Sequence, residues 1–321
     1  MSVENALTSE EMAIGVAHSK LILIGEHAVV HGQPAISIPF PIVGVESIVC
    51  HKPGPIEFVS DLYKGPANEA PHFLHGMVYC MEATLDYLNL PRRDLNIEVR
   101  STIPPGKGLG SSASVAIALV RSLFAYAGKS YTKEELLMLA NVSETFAHGA
   151  PSGIDALTIA SDLPLWFEKD KDIDYIKPTS DFYFVVADTG RVGDTKTAVE
   201  SVTNLLKTAP KRIQRKLSRL GELTYQARHA LEKASKQVLG QLLNEAQKEL
   251  EALGVSDAGL NRLIAFAREE GALGAKLTGG GNGGCIIALA KNELHSRQLT
   301  EKFKNFGASK VWPLYYNSKR I

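Results

Sequence analysis

Two short runs in the sequence hold the residue types that phosphoryl chemistry needs. Pro104-Pro105-Gly106-Lys107-Gly108-Leu109-Gly110-Ser111-Ser112-Ala113-Ser114 mixes glycines with small hydroxyl residues, and His148-Gly149-Ala150-Pro151-Ser152-Gly153-Ile154-Asp155 ends on a carboxylate. A turn rich in Gly and Pro takes side-chain bulk away from the backbone amides. Ser111 to Arg121 then reads as the opening turns of an apolar helix, whose first amide hydrogens have no intrahelical acceptor and can face an anion. The first run therefore predicts a phosphate cradle, and the second can bring a carboxylate to it.

Other glycine clusters are weaker signals. Gly128-Lys129-Ser130 matches the end of a nucleoside-triphosphate loop but lacks the upstream glycine, so it reads as an ordinary turn. Gly279-Gly280-Gly281-Asn282-Gly283-Gly284 contains GxGxxG, yet Cys285 to Ala290 looks like a strand where a dinucleotide fold needs a helix. It reads better as a tight interstrand turn or a wall beside phosphate, with Asn282 suited to a positive-φ position. His27 and His31 have HxxxH spacing, but the Gly32-Pro34 turn and the lack of a nearby third ligand point away from a metal.

The elements that must carry these runs follow from periodicity. Ala13 to Ala17 and Leu21 to Ile24 read as short β segments interrupted by polar His18-Ser19-Lys20, and Ala28 to Ile38 as an apolar turn and strand. Phe73 to Leu88 is helical, ended by Asn89 and Pro91, and Leu95 to Val99 is a strand entering the glycine loop. Leu136 to Phe146 reads as a helix with Thr132 as cap and Glu135 in the capping-box position, placing Glu144 near its far end. Phe182 to Ala187 is a buried-strand candidate, Lys207 to Leu253 is helical in two or more pieces with a solvated charged face, and Ala275 to Thr278, Cys285 to Ala290 and Ser309 to Tyr315 are strands. Glu168 to Ser180 carries charge and turn residues without periodicity, so a boundary is expected there, with domains 1–178 and 179–321. No repeat is evident, and two compact α+β modules are expected.

Composition narrows the partners. The 321 residues carry 35 Lys+Arg against 35 Asp+Glu, which gives no polybasic signal for nucleic acid or an anionic membrane. The first twelve residues lack the basic and apolar regions of a signal peptide, and no stretch reaches the ~20 apolar residues of a membrane helix. Cys50, Cys80 and Cys285 are far apart and form no CxxC motif. A small soluble metabolite, and a cytoplasmic location, are the expectations.

With three signatures in order, the sequence resembles the GHMP small-molecule kinases. They are Lys20-Leu21-Ile22-Leu23-Ile24-Gly25-Glu26-His27-Ala28-Val29-Val30-His31-Gly32, the Pro104 to Ser114 loop, and Lys276-Leu277-Thr278-Gly279-Gly280-Gly281-Asn282-Gly283-Gly284-Cys285. Ala28-Val29-Val30 after Gly-Glu-His resembles the mevalonate-directed branch of that family, where galactokinases have Asp-Tyr. His18-Ser19 stands where many relatives have Pro-Gly, Asn282 interrupts the third signature, and Ala150 replaces a frequent Asn. The resemblance implies an α+β GHMP kinase fold with an N-terminal ribosomal-protein-S5-like domain and a C-terminal ferredoxin-like domain, ATP and substrate lying between them.

The resemblance also implies roles. Pro104, Pro105, Gly106, Lys107, Gly108, Leu109, Gly110, Ser111, Ser112, Ala113 and Ser114 would form the ATP loop, with Thr278, Gly279, Gly280 and Gly281 lining the phosphate side. The Ser112 hydroxyl can reach Mg²⁺, since a hard cation prefers oxygen, and Glu144 resembles the carboxylate that supplies the second protein oxygen. Without the resemblance, Glu144 reads as a solvated helix-end residue and Asp155 as a cap for a helix starting near Ala156. In the resembling kinases Asp155 is the catalytic base and Lys20 stabilises charge on it and on the phosphoryl group. Glu26, His27, Thr195 and Lys196 would contact the substrate, Lys196 at its carboxylate.

The implied reaction is transfer of the γ-phosphoryl group of ATP to the 5-hydroxyl of mevalonate. Alternatives are another GHMP-type kinase acting on a related hydroxy acid or phosphorylated mevalonate, and a nucleotide-binding regulatory protein that keeps the fold. Dimers occur among the resembling enzymes, so a homodimer is open.

Overall fold

The computed structural model describes residues 12–148 and 153–316. Residues 149–152 of the second run, Ala150 included, and the stretch 1–11 that bears on a signal peptide lie outside the described residues. In chain order the elements are β1 (Ala13–Ile24), β2 (Ala35–His51), β3 (Glu57–Ser60), β4 (Tyr63–Pro66), α1 (His75–Leu88), β5 (Leu95–Ser101), α2 (Ser111–Tyr126), α3 (Lys133–His148) and α4 (Ile154–Ile159). They continue as β6 (Leu165–Phe167), β7 (Asp174–Tyr175), β8 (Phe182–Asp188), α5 (Thr195–Thr208), α6 (Pro210–Glu232), α7 (Lys236–Ala252), α8 (Ala258–Glu269), β9 (Gly274–Thr278), β10 (Cys285–Ala290), α9 (Glu293–Phe306) and β11 (Lys310–Tyr316).

The chain divides into two compact units that are interleaved in sequence: 1–19, 43–104 and 110–160 form one, and 20–42, 105–109 and 161–321 the other. The sequence reading had drawn a single break at 178/179. One sheet has the order β4-β3-β5-β2-β6-β7 with β1 paired to β2, and the other the order β11-β8-β10-β9.

In the first unit α1, α2 and α3 pack on one another. Helix α2 presents Ala113, Ala116, Ile117, Val120 and Phe124 as buried surface. Its C-terminus is a turn in which Gly128, at φ 62°, donates to the Ala125 carbonyl at 3.0 Å while Lys129 donates to Phe124 at 3.0 Å. Gly128-Lys129 is thus a helix stop, as expected. Helix α3 begins with the expected capping box: Thr132 N donates to Glu135 at 2.7 Å and Glu135 N to the Thr132 hydroxyl at 3.2 Å.

In the second unit strand, helices, strand, strand, helix and strand follow one another from β8 to β11, and all neighbours are antiparallel. This is the ferredoxin-like arrangement the resemblance implied. Strands β9 and β10 are buried at every residue, because helices cover what the hairpin leaves open. Helix α6 buries Ile213, Leu217, Leu220, Leu223, Ala227 and Leu231 at helical spacing and turns its charges outward.

One local expectation is corrected. His18-Ser19-Lys20 does not interrupt a strand: β1 runs unbroken from Ala13 to Ile24, with Ser19 and Lys20 both buried. Polar side chains do not break a ladder that continues through their backbone.

Candidate active site

The second unit brings the first and third signatures together. The Lys20 amide, near the end of β1, donates to the Leu109 carbonyl at 3.3 Å, which ties the 105–109 loop to that strand. The Thr278 hydroxyl, at the end of β9, accepts from Ile22 N at 3.2 Å and donates to Ile22 O at 2.9 Å. Its hydroxyl is therefore spent on the strand, and Thr278 orients the glycine turn that follows it. That turn joins β9 to β10 with Thr278 opposite Cys285, so the GxGxxG run is an interstrand connection, as read from the sequence. Asn282 sits at φ 51°, the positive-φ place expected for it.

The two glycine loops touch backbone to backbone. A Cβ on Gly108 would lie 3.1 Å from the Cα of Gly279, and Gly108 itself is at φ 72°. Only residues without Cβ permit this approach. A third segment closes in: Gly193 N donates to the Gly106 carbonyl at 2.9 Å, and a Cβ on Gly193 would lie 2.7 Å from the Gly281 carbonyl. Helix α5 starts just beyond, with Asp194 as N-cap accepting from Thr197 N at 3.0 Å. Thr195 and Lys196 are exposed in its first turn.

Several side chains of the loop expected to bind ATP are engaged within the protein. Lys107 is buried, its ammonium 2.9 Å from Asp188 and donating to the Arg191 carbonyl at 2.9 Å. Its charge is already compensated by Asp188. Leu109 and Ala113 are core residues. Pro104 is buried while Pro105 and Gly106 are exposed. The Ser114 hydroxyl, buried in the first unit, lies 3.0 Å from the His18 carbonyl and 2.9 Å from that of Gly110, which secures the start of α2 to β1.

In the first unit Gly110, at φ 74°, is the N-cap of α2: it has no side chain to cap the helix, and its carbonyl accepts from Ser114 N at 2.9 Å. Ser111 and Ser112 stand half-buried in that first turn. Ser112 borders a cavity of ≈ 230 Å³ together with Ser143, Met77, His72 and Phe146. Glu144 is buried on α3, which packs on α2, and so is not the solvated helix-end residue that composition alone suggests. Asp155 is half-buried inside the first turn of α4, whose N-cap is Gly153. The cap reading of Asp155 therefore does not hold.

Glu26 and His27 follow β1 in the second unit, and both are buried. His27 Nε2 donates to the Gly280 carbonyl at 2.9 Å, which joins the first signature to the third-signature turn. Burial lowers the His27 pKa to about 4, with Lys276 and His31 pushing the same way and the Gly280 bond opposing, so the ring is neutral at pH 7. Glu26 pairs with Lys276, a residue with no exposed surface. Burial raises the carboxyl and lowers the ammonium, each counteracted by the charge of the other.

Lys276 and the Lys107–Asp188 pair were not singled out from sequence. The signal was present: Lys276 is the one charge in the apolar strand Gly274–Thr278, and a buried charge requires a partner.

The chain matches the family model for the GHMP kinases N terminal domain over residues 73–161 and that for GHMP kinases C terminal over residues 227–309. It is 33% identical over 297 residues to a curated protein of Pyrococcus horikoshii called mevalonate kinase, covering 85% of this chain and 87% of the relative. The chain belongs to the GHMP kinases. A mevalonate kinase of Aeropyrum pernix is 33% identical to this GHMP kinase over 289 residues, covering 86% of it and 87% of the relative. Among solved structures, that of L. major mevalonate kinase in complex with R-mevalonate superposes with a TM-score of 0.82 at 26% identity, covering 98% of each chain. The mevalonate kinase of methicillin-resistant Staphylococcus aureus superposes with a TM-score of 0.70 at 32% identity, covering 94% of this GHMP kinase and 98% of the other. No helix among the described residues is long and apolar enough to cross a membrane.

Proposed function

We propose that this GHMP kinase transfers the γ-phosphoryl group of ATP to the 5-hydroxyl of mevalonate, giving 5-phosphomevalonate and ADP. The observation that carries the reading is the meeting of Glu26-His27, the 105–109 loop and the 278–284 turn in one unit, in a chain that aligns over most of its length with mevalonate kinases.

The 105–109 loop, with Gly279 approaching Gly108 beside it, supplies backbone amides to the phosphates, and the first amides of α2 are of the same kind. This fit is supported by positive φ at Gly106, Gly108, Gly110, Gly279 and Gly281, a conformation that suits glycine and leaves no side chain beside the backbone. Magnesium, when bound with the nucleotide, neutralises phosphate charge. Ser112 and Glu144 suit it as hard oxygen donors. Glu144 offers a carboxylate buried on α3, and an ion held by so few protein oxygens would complete its shell from phosphate and water oxygens. Asp155 accepts the proton of the 5-hydroxyl as the hydroxyl oxygen attacks. Lys20 supports the negative charge that develops. Glu26 and His27 hold the acceptor, and Thr195 with Lys196 meet its acid end, where an exposed ammonium can pair with a carboxylate.

The test is ATP consumption by the purified chain with magnesium and a panel of acceptors. Mevalonate-dependent turnover with 5-phosphomevalonate as product is expected. Turnover only with another hydroxy acid or with phosphomevalonate would replace the substrate assignment. ATP binding without acceptor-dependent turnover would favour a nucleotide-binding regulatory protein.

A further inference from the structure

Glu26 and His27 share an unusual condition. Each has spent one polar atom on the third signature and has another that is buried with no hydrogen-bond partner among the described residues. Glu26 Oε1 is held by the Lys276 ammonium while Oε2 is unpartnered, and His27 Nε2 is held by the Gly280 carbonyl while Nδ1 is unpartnered. Unmade bonds at buried polar atoms are costly, so two on successive residues call for a missing donor.

The chemistry of that donor follows from the atoms. With Nε2 protonated toward Gly280, Nδ1 of the neutral ring carries a lone pair, and an oxygen of an ionised carboxylate can only accept. A hydroxyl satisfies either atom, whereas a carboxylate satisfies neither. Lys276 fixes this arrangement. It sits in the middle of β9 with no exposed surface, bound to Glu26 and donating to the Leu277 carbonyl at 2.5 Å. Such a pair adds little net stability over apolar residues of the same volume, but it sets which carboxylate oxygen is spent.

We propose that Lys276 is a positioning residue for the acceptor substrate: it holds Glu26 by one oxygen so that the other, together with His27 Nδ1, accepts hydrogen bonds from hydroxyl groups of the acceptor. The proposal rests on the reading of the chain as a mevalonate kinase and adds a residue to it.

Two measurements on the full chain test it. In the first, wild type labelled with ¹⁵N-histidine is titrated with mevalonate without ATP. His27 is expected as the Nε2-protonated tautomer, with an Nδ1 resonance that shifts as it gains a hydrogen bond. An Nδ1 resonance unmoved at saturating mevalonate overturns the proposal and would fit an ordered water at these atoms. In the second, the double variant Lys276→Met/Glu26→Gln removes both charges and keeps the volume. A folded variant with KM for mevalonate raised about tenfold or more, and KM for ATP within about twofold, is expected from loss of a charge-assisted acceptor. A mevalonate KM equal to that of wild type would make the pair mere filling and overturn the proposal. If the variant does not fold, the labelled wild type decides. Absence of mevalonate turnover in wild type defeats the functional reading itself, whereas turnover with an unmoved Nδ1 resonance defeats only the acceptor contact proposed here.

Discussion

Gly108 and Gly279 approach so closely that a Cβ on Gly279 would stand 3.0 Å from the Cα of Gly108, and Gly279 is at φ 83°. Gly279→Ala therefore meets two penalties, a left-handed backbone worth about 1–2 kcal/mol and a contact that pushes the loops apart. The expected outcome is a lower melting temperature, by about 2–4 °C per kcal/mol for a domain of this size, with a raised KM for ATP. Differential scanning calorimetry and ATP titration check both. An unshifted melting temperature would show that the loops separate freely.

His27 predicts an acid limb in stability. Its folded pKa is lowered to about 4 from the ordinary 6.5, through burial first and then Lys276 and His31. A lowered histidine pKa means the unfolded chain takes up the proton first on acidification. The stability of the neutral ring is therefore fully present above about pH 6.5 and is lost as pH falls toward about 4, on the order of 3 kcal/mol across the window. Denaturant melts at several pH values should give wild type a steeper acid limb than His27→Gln. Parallel curves would remove His27 as the cause.

Asp155 stands inside the first turn of α4 and not at its cap, so its amide variant should leave the helix start intact. Asp155→Asn is expected to keep nucleotide binding and to lose about 10²- to 10⁴-fold in turnover, the usual worth of a general base. Circular dichroism and steady-state kinetics check this together. Turnover near that of wild type in a folded variant would return Asp155 to an orienting role.

Ser112 and Glu144 should act on magnesium more than on the bare nucleotide. Ser112→Ala and Glu144→Gln are each expected to shift the magnesium activation curve to higher concentration at fixed ATP, because each removes a hard oxygen donor. Unshifted curves in both variants would discard the pair as ligands. The glycine cradle would survive that result, since backbone amides bind phosphate independently of either side chain.

Much of this was legible in the sequence where a local rule suffices. The Thr132–Glu135 capping box, the stop at Gly128 and the interstrand turn at Gly279 to Gly284 each follow from residue types within a few positions. Lys107 lies in the loop expected to bind phosphate, and no local rule shows that its ammonium pairs with Asp188 and the Arg191 carbonyl, partners more than eighty residues away. The bonds of the Thr278 hydroxyl to Ile22, 256 positions earlier, are equally invisible in the sequence. The partner of Lys276 lies 250 positions earlier in the chain. Such pairings are set by tertiary packing, and neither periodicity nor spacing reports them. His18-Ser19-Lys20 departs from expectation for a different reason: a strand is held by its backbone and continues through polar side chains.

The interleaving of the two units bears on how the protein can be divided. A fragment starting at residue 179 would contain Lys276, Thr278 and Gly280 but none of Glu26, Ile22 and His27, the groups that answer them. It would bury an ammonium with no counter-charge and leave the edge of β9 without the segment that fixes its glycine turn. A cut at that point therefore makes neither half a module: the C-terminal piece depends on residues translated first, and recombination or split-reporter designs must carry 20–42 and 105–109 along with it.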